Sequence, residues 1–183
     1  MKSGIRILAI DDSSFSKKDK EALAVGVVGR GELIEGILSF KVKVDGDEAT
    51  ETIIKKFKVS HFSDQIKLIA LHGVTLAGLN MVDIMRVNKT LKIPVVSIIR
   101  RKPHSAELVK AIKAAGSGSK RKLALLKRLN ATLKTETSTG FYVQCAGITS
   151  KEFAKFQSSA VHFLRLAHLI ANGVARGESR GRI

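Results

Sequence analysis

A chain of 183 residues with 44% apolar content can bury one core and is short for two. Its 32 Lys and Arg against 16 Asp and Glu leave a net charge of +16, which favours a polyanionic partner, nucleic acid first. The single cysteine, Cys145, rules out an intrachain disulfide and a cysteine-based zinc site. No apolar run reaches the ~18 residues of a membrane span, so a soluble, cytoplasmic chain is expected.

In residues 5–10, Ile5, Ile7 and Ala9 alternate with Arg6, Leu8 and Ile10. Both faces are largely apolar, and a central strand is predicted. It runs into Asp11 and Asp12. Adjacent carboxylates at the end of a buried strand are costly to desolvate and repel each other. A divalent metal relieves both problems; the alternative is a turn capped by Asp12 or Ser13, with Asp11 in water. Residues 22–29 are a second, small-residue strand, and Gly26, Gly29 and Gly31 lack the spacing of a phosphate loop. Residues 33–45 alternate Leu38, Phe40, Val42 and Val44 with Ser39, Lys41, Lys43 and Asp45, which predicts a third strand. Short links make the three an antiparallel meander. A helix then runs to about Lys58. Asp47, Glu48 and Glu51 suit its first turn, while Asp45 and Glu48 also stand at a strand–helix junction where a site is easily built.

Residues 66–71 predict a strand, His72 and Gly73 a turn, residues 80–91 a helix and residues 93–99 a buried strand, together a βαβ crossover. Residues 100–134 hold eleven Lys and Arg and one acid, Glu107, around a Gly-Ser-Gly-Ser break at 116–119. Short helices are predicted at 105–115 and 120–133. So one-sided a run reads as the electrostatic footprint of a nucleic acid, with Arg101, Lys120, Arg121, Lys127 and Arg128 as candidate phosphate contacts. Aromatics are too sparse here for a stacking platform. Residues 140–145 predict another strand, and Thr149 with Glu152 a capping box. A helical pattern, interrupted near Gln157, continues to Ala171 with Arg165 and His168 on one face. A Gly/Arg tail follows from Gly173.

This element order is similar to that of the ribonuclease-H-like fold, whose metal ligands include acids at the end of the first strand. Residues 68–100, Ile10-Asp11 with Ser14-Phe15, and the Arg165-Leu166-Ala167-His168 run resemble endonuclease V. Five stretches resemble more closely the archaeal endonuclease-V-like family also described as endonuclease dU. They are Ile10-Asp11-Asp12, Gly29-Arg30-Gly31, Val44-Asp45-Gly46 with Ala49-Thr50, the Leu79 to Ile84 run, and Arg165 to Ala171 with the Arg176-Gly177-Glu178 tail. Nearly the whole chain is covered.

The resemblance implies one α/β domain over residues 1–183, with a mixed sheet of three antiparallel strands and a parallel βαβ unit, flanked by helices. It also implies a metal-dependent endonuclease on nucleic acid, DNA in preference to RNA, acting at uracil or hypoxanthine. Asp11, Asp12 and His168 are then the catalytic candidates, Asp11, Asp45 and Glu48 the ligands of Mg²⁺ or Mn²⁺, and Arg165 a contact to the scissile phosphate. The chain departs from endonuclease V in having Ala70-Leu71-His72 where that enzyme has an acid. It also lacks the Pro-Tyr-Ile-Pro wedge and any proline in residues 158–163. A non-catalytic nucleic-acid-binding protein on the same scaffold is the alternative. An actin-like phosphotransferase is a third reading, for which the glycine-rich phosphate loops are lacking. No membrane partner is expected, and a homodimer is left open.

Overall fold

The structure, a computed structural model, describes residues 4–16, 18–101, 105–116 and 118–179. Strands β1 (Arg6–Asp12), β2 (Glu21–Arg30) and β3 (Leu33–Lys43) form the expected antiparallel meander. Helix α1 (Ala49–Lys58) leads to β4 (Ile66–His72), which pairs parallel with β1. A small hairpin of β5 (Thr75–Leu76) and β6 (Asn80–Met81), then α2 (Ile84–Leu91), carry the chain to β7 (Val95–Ile99), parallel to β4. Helices α3 (Ser105–Ala115) and α4 (Ser119–Thr132) make the basic hairpin. Strands β8 (Glu136–Ser138) and β9 (Phe141–Ala146), the one-turn α5 (Ser150–Phe153) and the long α6 (Gln157–Arg176) complete the chain. The main sheet has the order β3-β2-β1-β4-β7-β9-β8. It is the mixed, helix-flanked sheet of a ribonuclease-H-like fold. No described helix is long and apolar enough to cross a membrane.

Strand alternation splits the core in two. Leu8, Ile10, Ile69, Leu71 and Val95 face α1, α2 and the α3–α4 hairpin. Ile7, Ala9, Leu68, Ala70, Val96, Ile98 and Val143 face α6, where Phe163, Leu164, Ala167 and Ala171 close over them. Because β1 lies between β2 and β4 with both faces covered, its apolar run on both sides is what the position requires. The glycine at position 29 serves this packing: a Cβ there would sit 2.4 Å from the Phe163 ring, so a side chain would push α6 off the sheet. Arg30 and Arg6 both pair with Glu35, which braces the β2–β3 hairpin rather than a phosphate.

Three expected boundaries move and one strand is additional. The third strand stops at Lys43, because Asp45 takes a left-handed turn (φ 55°). The helix expected over 80–91 begins only at Ile84. Buried Asn80 instead ties two segments together, its amine donating to the Lys43 carbonyl (3.0 Å) and its carbonyl accepting from Ala49 N–H (2.9 Å). Asp83 then caps α2 by accepting from Arg86 N–H at 3.1 Å. At the C-terminus, α6 runs on to Arg176 through part of the expected tail and ends at Gly177, left-handed at φ 81°. Strand β8, three mostly polar residues, was not expected; it is an edge strand paired only with β9. The Thr149–Glu152 capping box forms in full.

Candidate functional site

Asp11 is the last apolar-face position of β1, in step with Ile7 and Ala9, so its carboxylate points toward α6 and is 2% exposed. Its Oδ1 accepts from Asp12 N–H at 2.9 Å. The other oxygen, Oδ2, is buried without a hydrogen bond. Two imidazoles flank it: His168 Nδ1, from α6, lies 3.2 Å away and His72 Nδ1, from the end of β4, 3.4 Å away. These are ion-pairing distances, although neither ring is angled to make a hydrogen bond. Burial pushes the Asp11 carboxyl up, but the two histidines beside it more than reverse that, and it is held below the usual aspartate value. Reciprocally, Asp11 raises both His72 and His168 against the desolvation that would lower them.

His168 is held from its other side as well. Asn172, one turn on in α6 and buried, accepts from Ser14 N–H through Oδ1 at 2.9 Å. That bond fixes the amide, so its Nδ2 donates to the His168 carbonyl at 2.9 Å and faces His168 Nε2 at 3.3 Å. An amide nitrogen can only donate, so in the neutral ring Nε2 is the acceptor and the proton sits on Nδ1, toward Asp11. His72 carries no such restraint: its Nε2 has no hydrogen-bond partner among the described residues, and its side chain is 35% exposed.

Asp12 points the opposite way, toward α1. Its Oδ2 accepts from Ala77 N–H at 2.6 Å. Burial, and then the charge of Asp11, push its carboxyl up to about 6. The Ala77 carbonyl in turn accepts from Asp45 N–H at 2.9 Å, so Asp12 and Asp45 grip one loop residue from two sides. The Asp45 carboxylate is committed to that loop, Oδ1 accepting from Leu79 N–H at 2.7 Å. Glu48 is more fully engaged: Oε1 accepts from Lys43 N–H (2.8 Å) and Oε2 from Asp47 N–H (3.0 Å). Burial raises and these bonds lower its pKa, for a net depression. The structure therefore joins Asp11 to His168 and does not gather Asp11, Asp45 and Glu48 around one point. Among the described residues no group of three or more His, Cys, Asp or Glu side chains stands ready to hold a metal ion.

The basic residues divide too. Lys120, Arg121, Lys127 and Arg101 are exposed, and Arg165 faces solvent one turn before His168, with no ion pair among the described residues. Arg128 is instead paired with the capping carboxylate of Asp83. Lys122, which the sequence did not single out, is 3% exposed and donates to the Asp45 carbonyl at 2.6 Å, fastening α4 to that turn. His72 and Asn172 were also missed. The signal for His72 was the absent acid at its position, a gap that a histidine facing Asp11 fills in space.

Relatives place this geometry. A family model described as Endonuclease dU matches residues 3–175. A UPF0215 protein from Methanothermobacter thermautotrophicus is 38% identical, covering 99% of this chain and 93% of the relative. One from Archaeoglobus fulgidus is 36% identical with 97% of each covered. The crystal structure of a protein of unknown function from Archaeoglobus fulgidus superposes with a TM-score of 0.83 at 33% identity, covering 93% of this chain and 98% of that one. Human endonuclease V (TM-score 0.55, 10% identity, 90% and 81% covered) shares the fold. So does Ciona intestinalis endonuclease V, solved with a 24mer DNA containing an inosine followed by a ribo-adenosine (TM-score 0.54, 12% identity, 90% and 82% covered). With the family model spanning almost its entire length, the chain belongs to the endonuclease dU family.

Proposed function

We propose that this protein is a divalent-cation-dependent endonuclease that acts on nucleic acid, DNA in preference to RNA, at deaminated bases such as uracil or hypoxanthine. Family membership and the endonuclease V fold support a nuclease acting on nucleic acid, and the inosine-containing DNA held by a structural neighbour supports the substrate class. The observation that carries the reading is Asp11 Oδ2, buried without a hydrogen bond between two imidazoles. A buried carboxylate oxygen left in that state is expensive for stability alone.

The residues fit a Mg²⁺- or Mn²⁺-type site of the sparse kind. Mg²⁺ keeps several waters and is commonly held by one or two carboxylates together with substrate phosphates rather than by a protein cage. Asp11 would be the principal ligand; Asp12, on the other face of β1, could join only by turning toward it and giving up the Ala77 N–H. Asp45 and Glu48 could join only by giving up backbone hydrogen bonds. When bound, the cation would neutralise non-bridging phosphate oxygens and ease deprotonation of the attacking water.

The chain's own groups divide the remaining work. His168, engaged at both nitrogens, keeps Asp11 ionised and oriented. His72 has the open Nε2 and is the group placed to exchange a proton with substrate or water. Arg165, Lys120, Arg121 and Lys127 supply positive charge along the approach.

The test is cleavage of oligonucleotides carrying one uracil, one hypoxanthine or normal bases only, with Mg²⁺ or Mn²⁺ and with chelator. Cation-dependent scission is expected. His72→Ala and His168→Ala should each lower kcat by roughly 10²–10⁴-fold with little change in binding. Binding without scission on every substrate would leave the non-catalytic nucleic-acid binder as the reading.

A further inference from the structure

We propose that the cleft between the β7–β9 edge of the sheet and the α3–α4 hairpin receives an extruded base and reads it through the paired amides of Gln144 and Asn130. The proposal rests on the nuclease reading and names the groups that would discriminate its substrate. The cleft has a volume of about 210 Å³ and begins at Gly73, the residue after His72. Its walls are mainly apolar, with Val74, Ile99, Leu108, Leu126 and Tyr142 among them. A concave apolar slot with a few convergent polar groups suits a flat heterocycle.

The polar groups are the two amides, and their orientation is settled by hydrogen bonding. Gln144, on β9, is 9% exposed. Its Nε2 donates to the Leu133 carbonyl at 3.4 Å and to Asn130 Oδ1 at 3.1 Å. A backbone carbonyl only accepts, so Gln144 cannot be flipped, and the bond from Gln144 then fixes Asn130 as well. What remains is one acceptor, Gln144 Oε1, and one donor, Asn130 Nδ2. Neither has a hydrogen-bond partner among the described residues, and both side chains line the cleft.

An acceptor beside a donor complements a lactam edge, where a ring N–H adjoins a carbonyl, as in uracil or hypoxanthine. Cytosine and adenine present the reverse pattern, a ring nitrogen that accepts beside an amine that donates. Deamination converts the second pattern into the first. The amide pair therefore separates a deaminated base from its own parent; thymine and guanine share the lactam edge, and the pair does not distinguish them. Placement agrees with this use. Ser97 pairs with Gln144 and His72 with Ile98, so Gln144 lies two strands across from His72. It is on the α3–α4 face of the sheet, whereas His72 and Asp11 face α6. Gly73, directly after His72, carries the cleft to the strand ends where the two faces meet. A nucleic-acid strand passing over that end of the sheet would carry a base into the cleft on one face and a phosphate toward Asp11 on the other.

The experiment is equilibrium binding of the full chain, by fluorescence anisotropy in EDTA, to single-stranded oligonucleotides differing only in one base, uracil against cytosine and hypoxanthine against adenine. Wild type should prefer the deaminated base by about tenfold, within the discrimination of one good bidentate pair. Asn130→Ala, on an exposed helix face, and Gln144→Leu should each bring the ratio close to one, chiefly by weakening the uracil and hypoxanthine strands. Equal wild-type affinities, or a preference retained in Asn130→Ala, overturn the proposal. Equal affinities with cation-dependent cleavage intact sink the amide pair alone. A preference that disappears in Asn130→Ala, without cleavage of any strand, keeps the pair and sinks the nuclease.

Discussion

Two corners of this molecule present carboxylates at the end of a strand, and they differ in who satisfies the oxygens. At the Asp45–Glu48 turn, backbone N–H groups of Leu79, Lys43 and Asp47 do so, and Lys122 fastens the turn from outside. At the Asp11 corner one oxygen has only imidazoles for neighbours and no hydrogen bond. A carboxylate bonded to backbone shapes a loop and is spent in doing so. One enclosed among titratable side chains keeps its charge available for a ligand or a proton.

The sharpest way to break this contrast is Asp11→Asn. An amide oxygen brings no charge to a cation, so cleavage should fall by roughly 10³-fold or more while circular dichroism shows an intact fold. Calorimetry in which wild type and Asp11→Asn take up Mn²⁺ equally would remove Asp11 as the principal ligand.

Next in size is a change in binding that leaves the corner untouched. Reversing the exposed Lys120, Arg121 and Lys127 to Glu should weaken oligonucleotide affinity by on the order of 10²-fold at low salt. It should also flatten the slope of log affinity against log salt by roughly one for each phosphate no longer neutralised. Arg128 should matter less for binding, since reversing it first breaks its pair with Asp83. An unchanged salt slope would take α4 out of the interface.

Smaller effects belong to the other corner. Glu48→Ala removes the acceptor of the Lys43 and Asp47 N–H groups, which water can then reach, and should cost about 0.5–1.5 kcal/mol in denaturant unfolding, with turnover per folded molecule preserved. Loss of turnover without loss of stability would place Glu48 with the functional carboxylates and erase the distinction.

A pH signature separates neighbours in sequence. Asp12, pushed up to about 6, is favoured by the fold in its protonated form. Its ionisation costs nothing below pH ~4 and the full penalty above ~6. In chelator, Asp12→Asn should therefore stabilise the protein at pH 7.5, by at most about 3 kcal/mol, and have little effect at pH 4. The pairing of Asp11 with the two imidazoliums has the opposite sense. It is fully present below the ordinary histidine value of ~6.5 and is lost as pH rises through the raised histidine pKa values. Thermal melts of both variants across pH 4–8 distinguish the two; parallel profiles would contradict the assignment.

Local pattern alone determined much of the fold. The two-faced apolar run of β1, the alternation along β3 and the Thr149–Glu152 box depend on neighbours two to four residues away, and sequence displays such neighbours directly. It also placed Asp11 at the end of a buried strand and His168 on a helix face. Tertiary structure decided the rest, because hydrogen-bond partners distant in sequence leave no periodic trace. Asn80 and Asp83 delayed α2 by bonding across to α1 and capping the helix, and Asn172 held His168 through Ser14, 158 residues away. Whether a carboxylate is spent or available depended on which N–H groups the folded loops brought to it. The four acids Asp11, Asp12, Asp45 and Glu48 look alike in the sequence; the β1–β4 pairing that sets His72 beside one of them is what makes them different.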